Sequence, residues 1–190
     1  MNYSNMIKAL SGKEYISCMI AFSTAPTILR IKPSSILTLK GERKNVLQVW
    51  NIYKDEICSD LGLEYLELVY RDYSTTVLFY KSQYLSAHLQ HEYNYAFLHL
   101  MGYDKGLTLE EKLFILKKRF KNHCPHEMGI FLGIPVEDVR GFMEHEGRNC
   151  LMCRYWKVYH NPVRAVEIFE KFDLAKKIMI NALLQKHAAA

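Results

Sequence analysis

Glycine is scarce in this sequence, with only nine glycines among 190 residues. The glycine-rich motifs that cradle nucleotide phosphates are missing, since the chain has neither a Walker loop nor a Gly-x-Gly-x-x-Gly segment. A Gly-x-Ser-x-Gly nucleophile motif is missing as well. These absences argue against nucleotide-dependent catalysis. No other catalytic motif is recognisable, so the sequence leans towards a protein that is not an enzyme and leaves that question open.

Long hydrophobic runs are also lacking. No apolar segment approaches the roughly 20 residues that a membrane-spanning helix needs, and the opening residues MNYSNMIKALSGKEY lack the apolar core of a signal peptide. We therefore expect a cytoplasmic protein with no membrane span. Its thiols should be reduced there. The five cysteines are an odd number, scattered along the chain at Cys18, Cys58, Cys124, Cys150 and Cys153.

Apolar and aromatic residues are plentiful. They make up 49% of the chain, with thirteen tyrosines and nine phenylalanines, which is enough to form a core and argues against disorder. The net charge of +5 is mild and fits a solvated surface. We expect a single domain over residues 1–187. The terminal alanines 188–190 have the character of a cloning remnant.

Two strand-like runs, 63–71 and 75–81, flank a short polar turn and predict a β-hairpin. Ser35 to Leu39 reads as a further short strand, and Thr108 with Glu111 forms a capping box that begins a helix. The pattern lacks βαβ regularity, so we predict an α+β fold with a small, mainly antiparallel sheet covered by helices. The predicted helices cover 3–22 with a break at 11–12, 42–61, 82–101 as one or two helices, 108–121, two short helices flanking 133–135, and 161–187.

The segment 123–160 is the best candidate for a functional region. It contains three of the five cysteines and four of the eight histidines. Residues 154–160 are predicted to be a strand, and its aromatic and basic run, Tyr155 to His160, could stack a planar ligand. The alternative is a sheet face packed on helices. The predicted ligand-binding residues are Cys124, His126, Glu127, Tyr155, Trp156, Lys157 and Tyr159.

Cys124 precedes a proline that suits the first position of a helix. The positive end of the helix dipole would then favour the thiolate of Cys124. This makes Cys124, with His126 beside it, a candidate reactive or metal-binding group. The alternative is a buried helix start in which Glu127 closes a capping interaction.

Cys150 and Cys153 have the Cys-x-x-Cys spacing that lets two sulfurs bind one tetrahedral ion. A structural zinc site needs about four ligands, and Cys124 and His126 would have to complete it through tertiary contact. The predicted metal set is therefore Cys124, His126, Cys150 and Cys153, with metal, haem or redox chemistry as the function it would serve. Buried structural cysteines are the other interpretation.

The spacing over 127–143 is similar to that of a DNA-binding helix-turn-helix, with Val139 and Phe142 as buried residues of the second helix. The charge argues against DNA, because residues 136–148 carry four carboxylates against two arginines, a net −2 where phosphates would lie. An αα-hairpin without DNA binding explains the spacing better. We therefore predict that the protein does not bind DNA specifically.

Two motifs carry a resemblance to a known family. Pro125 to Phe142, read as PHExGIFLGxPxEDVxGF, and Tyr155 to Tyr159, read as YWKVY, resemble the signature of a family of about 190-residue proteins of unknown function from anaerobic Gram-positive bacteria. Ala25-Pro26-Thr27 and the Lys32-Pro33 segment are similar to its N-terminal motif. This chain departs from the family pattern at Ser23-Thr24 and at Arg154. The resemblance implies a bacterial protein and no particular activity.

Taken together, these patterns predict a protein that binds a small molecule or a protein partner through residues 123–160. A thiol-based metal, haem or redox accessory role is the alternative. Helix-turn-helix binding to nucleic acid comes third.

Overall fold

Two runs of β-branched and aromatic residues pair across a short turn at the centre of the molecule. Strands β2 (Glu64–Arg71) and β3 (Ser74–Tyr80) are antiparallel, with a register shift between Glu67 and Val69. Strand β1 (Ser34–Lys40) pairs antiparallel with the other edge of β3, so the order is β1-β3-β2. The predicted hairpin and the predicted first strand are confirmed.

The computed structural model describes residues 2–41 and 45–188. A second antiparallel pair joins β4 (Met152–Cys153) to β5 (Lys157–Val158). The predicted helix start at 42–44 lies outside the described residues. The helices are α1 (Tyr3–Ala9), α2 (Gly12–Ser23), α3 (Ala25–Ile28), α4 (Val46–Leu61), α5 (Ser82–Gln90), α6 (Glu92–Leu100), α7 (Leu109–Phe120), α8 (Met128–Phe131), α9 (Val136–Glu144) and α10 (Pro162–Ala188).

Local capping signals set several helix ends where the sequence predicts them. The Glu111 amide donates to Thr108 Oγ1 at 3.2 Å, and the Thr108 amide donates to Glu111 Oε2 at 2.8 Å, which completes the capping box of α7. At α10 the Arg164 amide donates to Asn161 Oδ1 at 3.0 Å, and Pro162 is the first helical residue.

The three-stranded sheet buries both of its faces. Successive side chains of β3 point to opposite sides, so Val77 and Phe79 pack with Trp50 under α2 and α4. Leu78 lies on the other face and joins a core under α5 to α9. The structure is therefore the predicted single-domain α+β fold. None of the helices within the described ranges has the length and apolar character needed to cross a bilayer.

A smaller core joins the β4–β5 hairpin to α10. The ring of Trp156 meets the ring of Phe169 edge-on, with centroids 4.4 Å apart and an interplanar angle of 73°. Val158, Ala165 and Phe172 are buried in the same cluster. This packing holds the 150–160 segment against the long final helix and beside α9.

Gly133 forms the turn between α8 and α9, with a φ of 76°. This left-handed conformation is costly for residues with a Cβ. A Cβ at Gly133 would also lie 2.6 Å from Pro33 Cδ. We expect Gly133→Val to lower the free energy of unfolding by about 1–3 kcal/mol through backbone strain alone, with a further loss from the Pro33 contact, measured by urea denaturation.

Gly106→Val is the matched control for that contact. Gly106 also has a positive φ, of 102°, but a Cβ there meets no atom within 4 Å. The decrease in the free energy of unfolding should be larger for Gly133→Val than for Gly106→Val. Equal losses would show that Pro33 contributes nothing, and an unchanged unfolding midpoint for Gly133→Val would contradict the turn itself.

Candidate ligand-binding site

Asp138 ties α9 to the β4–β5 hairpin. The carboxylate is 3% exposed. Its Oδ2 accepts from Trp156 Nε1 at 2.8 Å, and its Oδ1 accepts from the backbone amides of Tyr159 at 2.7 Å and His160 at 3.0 Å. Hydrogen bonds to a charged group are stronger than neutral ones. Asp138 is thus a structural anchor that brings the two halves of the 123–160 region together.

This placement corrects the helix-turn-helix interpretation. Asp138 is one of the four carboxylates over residues 136–148 that would face DNA in a helix-turn-helix, but its side chain is buried. Phe142, expected to be buried, is 39% exposed. The first helix, α8, is only four residues long, which is about one turn and too short to support a recognition helix. The residue spacing over 127–143 instead reflects the packing of α8 against α9 across the turn at Gly133.

An open cleft of ≈ 270 Å³ lies between α8, α9 and the start of β5. Its walls are mainly apolar, and polar groups lie at its rim. Asp138 also borders it, but both of its carboxylate oxygens are already engaged. The apolar lining residues are Pro125, Met128, Gly129, Leu132, Ile134, Val139, Phe142 and Trp156, and the rim residues are Cys124, His126 and Lys157.

The rim places a cation and an imidazole near one aromatic ring. Lys157 Nζ donates to the Gly147 carbonyl at 2.6 Å and lies 6.0 Å from the centroid of the Phe142 ring. The ring of His126 lies 5.8 Å from the same ring, centroid to centroid. Phe142, Lys157 and His126 are all exposed. An entering ligand would therefore meet positive charge before it meets the apolar wall.

Four of the predicted ligand-binding residues line this cleft: Cys124, His126, Trp156 and Lys157. Glu127 does not, because it is buried and accepts from Arg119 Nη1 at 2.6 Å and from the Tyr103 hydroxyl at 3.3 Å. The structure therefore places Glu127 outside the cleft, in contact with Arg119 and Tyr103.

Tyr155 and Tyr159 also lie outside the cleft. The Tyr155 hydroxyl donates to Asp173 Oδ1 at 2.6 Å. The Tyr159 ring stacks on His145, with centroids 5.6 Å apart and an interplanar angle of 12°. Within the described residues the Tyr159 hydroxyl is buried with no hydrogen-bond partner. Only Lys157 and Val158 of the predicted strand 154–160 are extended, because Trp156 turns into the α10 core.

The helix start predicted at Cys124 lies further along the chain. Pro125 begins a turn, not a helix: α8 begins at Met128 with Glu127 as its N-cap. Cys124 therefore feels no helix dipole. Partial burial, and after it the charge of Glu127, raises the pKa of the Cys124 thiol. The expectation of a favoured thiolate is wrong.

The predicted metal set is not assembled. Cys150 and Cys153 lie at the β4 end of the hairpin, whereas Cys124 and His126 lie at the cleft rim. In residues 2–41 and 45–188 no group of three or more His, Cys, Asp or Glu side chains could hold a metal ion.

Sequence reasoning missed Asp138 and most of the apolar wall. One available signal was Gly141, three residues after Asp138 in the middle of α9. A glycine inside a helix costs about 1 kcal/mol relative to alanine, so its presence indicates a close packing contact. That contact is Tyr159, since a Cβ at Gly141 would lie 2.4 Å from Tyr159 Cβ.

Comparison with known proteins gives one match. A family model described as a protein of unknown function (DUF3793) matches residues 20–190, which bears out the resemblance to a family of unknown function. No curated protein and no solved structure matches the chain.

Proposed function

We propose that this chain, which belongs to the DUF3793 family of proteins of unknown function, binds a small organic anion with an apolar body in the cleft beside Trp156. The single observation that carries this proposal is the cleft itself, in which an apolar recess opens next to Lys157, a lysine that forms no ion pair with any carboxylate in the described part of the chain.

The size of the cleft favours a compact ligand. Small-molecule sites usually have volumes of about 300–1,000 Å³, and this cleft, at ≈ 270 Å³, is just below that range. It suits one ring or a short chain and is too small for a nucleotide. Its walls of Met128, Leu132, Val139 and Phe142 would gain free energy by burying apolar surface of the ligand.

The charge at the rim favours an anionic end group. Lys157 takes part in no ion pair among the described residues, and its one hydrogen bond goes to a backbone carbonyl. Asp138 also borders the cleft, but the three N–H donors to its oxygens offset part of its negative charge. A carboxylate above Phe142 would sit within reach of both Lys157 and His126.

The experiment uses three carboxylates, benzoate, phenylacetate and 3-phenylpropionate, each with its uncharged amide. The protein has two tryptophans, so a ¹H–¹⁵N spectrum contains two indole resonances. Trp156 lines the cleft, whereas Trp50 is fully buried on the opposite face of the sheet. The Trp156 resonance should shift on titration while that of Trp50 stays in place, and the acids should bind more tightly than the amides.

Two pairs of variants locate the contacts. Lys157→Gln removes the charge and should weaken carboxylate binding by about two- to fivefold, as expected for an exposed ion pair. Lys171→Gln, an exposed lysine on α10, should leave binding unchanged. Phe142→Ala removes one wall of the cleft and should weaken binding of the acids and the amides alike. Phe114→Ala, which removes a 57% exposed ring on α7, is its control and should leave binding unchanged.

Equal affinity of acids and amides would contradict the anionic ligand. If no probe moves the Trp156 resonance at millimolar concentration, the small-ligand proposal fails. A shift of the Trp156 resonance by a protein partner and by none of the small probes would assign the cleft to that partner's side chain instead.

A further inference from the structure

Two lysines share an aromatic patch away from the cleft. Lys32, in the loop between α3 and β1, has its Nζ 5.7 Å from the centroid of the Phe172 ring. Lys176, one turn further along α10, has its Nζ 4.7 Å from the centroid of Tyr155 and 5.6 Å from that of Phe22. The rings of Tyr155 and Phe172 are themselves in contact, with centroids 5.2 Å apart. The two amines therefore lie over two contacting rings that meet edge-on, at an interplanar angle of 88°.

No carboxylate is available to neutralise this pair. The nearby Asp173 is engaged twice, by an ion pair with Arg154 and by the Tyr155 hydroxyl. Among the described residues neither Lys32 nor Lys176 forms an ion pair. The patch thus has three cationic side chains against one occupied carboxylate. An anion would complete its charge balance.

The environment weakens the proton affinity of Lys32. Burial, and after it the charge of Lys176, lowers the pKa of Lys32 to about 8. Burial also lowers the pKa of Lys176, against the opposing charge of Asp173. At pH 7.5 an amine with this pKa is neutral in roughly a quarter of the molecules, against about 0.1% for an ordinary lysine. The neutral amine is the nucleophilic form.

We propose that Lys32 is a nucleophilic amine that condenses with the carbonyl of a small anionic aldehyde or ketone, and that Lys176 binds the anionic group. The site is independent of the cleft, because none of its residues lines that recess. Lys32 is half-buried, so part of its side chain is exposed to solvent. The half-buried ring of Tyr155, beneath the Lys176 amine, offers a contact surface for the body of the ligand.

The reaction is a condensation that needs no oxidant or reductant. The lone pair of Lys32 Nζ attacks the carbonyl carbon, and the π electrons move to the oxygen. Transfer of a proton from nitrogen to that oxygen gives a carbinolamine. A second proton from solvent converts the hydroxyl into water, which leaves as the nitrogen lone pair forms the C=N bond of an iminium ion. The iminium nitrogen then returns a proton to solvent and becomes the imine. The sum is amine plus carbonyl to imine plus water.

Pyridoxal 5′-phosphate is a suitable probe, since it is an aldehyde with a phosphate group. The full-length protein is incubated with a limiting amount of the probe, reduced with borohydride, digested and analysed by mass spectrometry. We expect Lys32 to be the first lysine labelled. The labelling rate should rise with pH with a midpoint near 8, following the titration of Lys32.

Lys176→Met tests the second half of the proposal. It removes the phosphate partner, and it also raises the pKa of Lys32 by removing a like charge. Labelling of Lys32 at pH 7.5 should therefore fall by about three- to tenfold, and the midpoint should move upwards. Lys177→Met, at the exposed neighbouring position, should change neither.

Thermal melts of both variants establish that the fold is kept. Labelling spread evenly over the exposed lysines, or a midpoint near 10 at Lys32, would overturn the nucleophile. An unchanged midpoint and rate in Lys176→Met would overturn the role of Lys176. Equal labelling by 4-pyridinecarboxaldehyde, which lacks the phosphate, would overturn the requirement for an anion.

Discussion

Replacing Asp138 with alanine should destabilise the protein by about 3–5 kcal/mol, a large part of the 5–15 kcal/mol that typically separates a folded domain from its unfolded state. The substitution removes the acceptor of three hydrogen bonds. It leaves the indole N–H of Trp156 buried without a partner, and a buried unpaired donor costs about 1–3 kcal/mol by itself. Urea denaturation followed by far-ultraviolet circular dichroism measures the loss.

Glu137→Ala is the matched control for Asp138→Ala. Glu137 is the preceding residue of the same helix, but its side chain is exposed, so the change should stay within about 0.5 kcal/mol. Asp138→Asn should also be strongly destabilising, because the amide keeps one acceptor oxygen and turns an N–H₂ group towards donors. Equal unfolding midpoints for Asp138→Ala and Glu137→Ala would contradict the anchor.

A double-variant cycle isolates the contact with Trp156. Trp156→Phe removes the indole donor and leaves Asp138 with its two backbone partners. If the Asp138–Trp156 hydrogen bond contributes as the 2.8 Å distance indicates, the losses in Asp138→Ala and Trp156→Phe should be less than additive in the double variant. Strict additivity would mean that the two side chains do not interact.

The parts of the fold that sequence predicts well are those set by neighbours along the chain. The β2–β3 hairpin follows from two alternating runs around one turn, and the capping box of α7 needs only Thr108 and Glu111. The turn at Gly133 is equally local. In each case the residues that determine the structure lie within a few positions of one another, so the pattern alone carries the information.

The candidate site is harder to predict, because its geometry depends on contacts between distant positions. Asp138 accepts from residues 18, 21 and 22 positions further along the chain. Nothing in the local sequence separates this buried acid from its exposed neighbour Glu137. The motif predicts Glu127 as a site residue, yet its carboxylate pairs with Arg119 on another helix. Pro125 predicts a helix start beside Cys124, but proline suits a turn equally well, and α8 begins only at Met128.

Gly141→Ala should lower the free energy of unfolding by about 1–3 kcal/mol, although the same change inside an ordinary helix raises it by about 1 kcal/mol. The reversal of sign comes from the contact between α9 and the β4–β5 hairpin. The new Cβ would lie 2.4 Å from Tyr159 Cβ and 2.6 Å from Tyr159 Cγ. Tyr159 cannot easily retreat, because its amide is bound to Asp138 at 2.7 Å.

A second substitution at Tyr159 identifies the atoms responsible. Tyr159→Ala removes the ring but keeps its Cβ, so Gly141→Ala should remain destabilising in that background. Glu144→Ala, an exposed change on the same helix, should be nearly neutral. A net stabilisation by Gly141→Ala would show that helix and hairpin lie further apart than described. The close contact between α9 and the β4–β5 hairpin also positions Trp156 at the cleft. Gly141→Ala should therefore shift the Trp156 indole resonance and leave that of Trp50 in place.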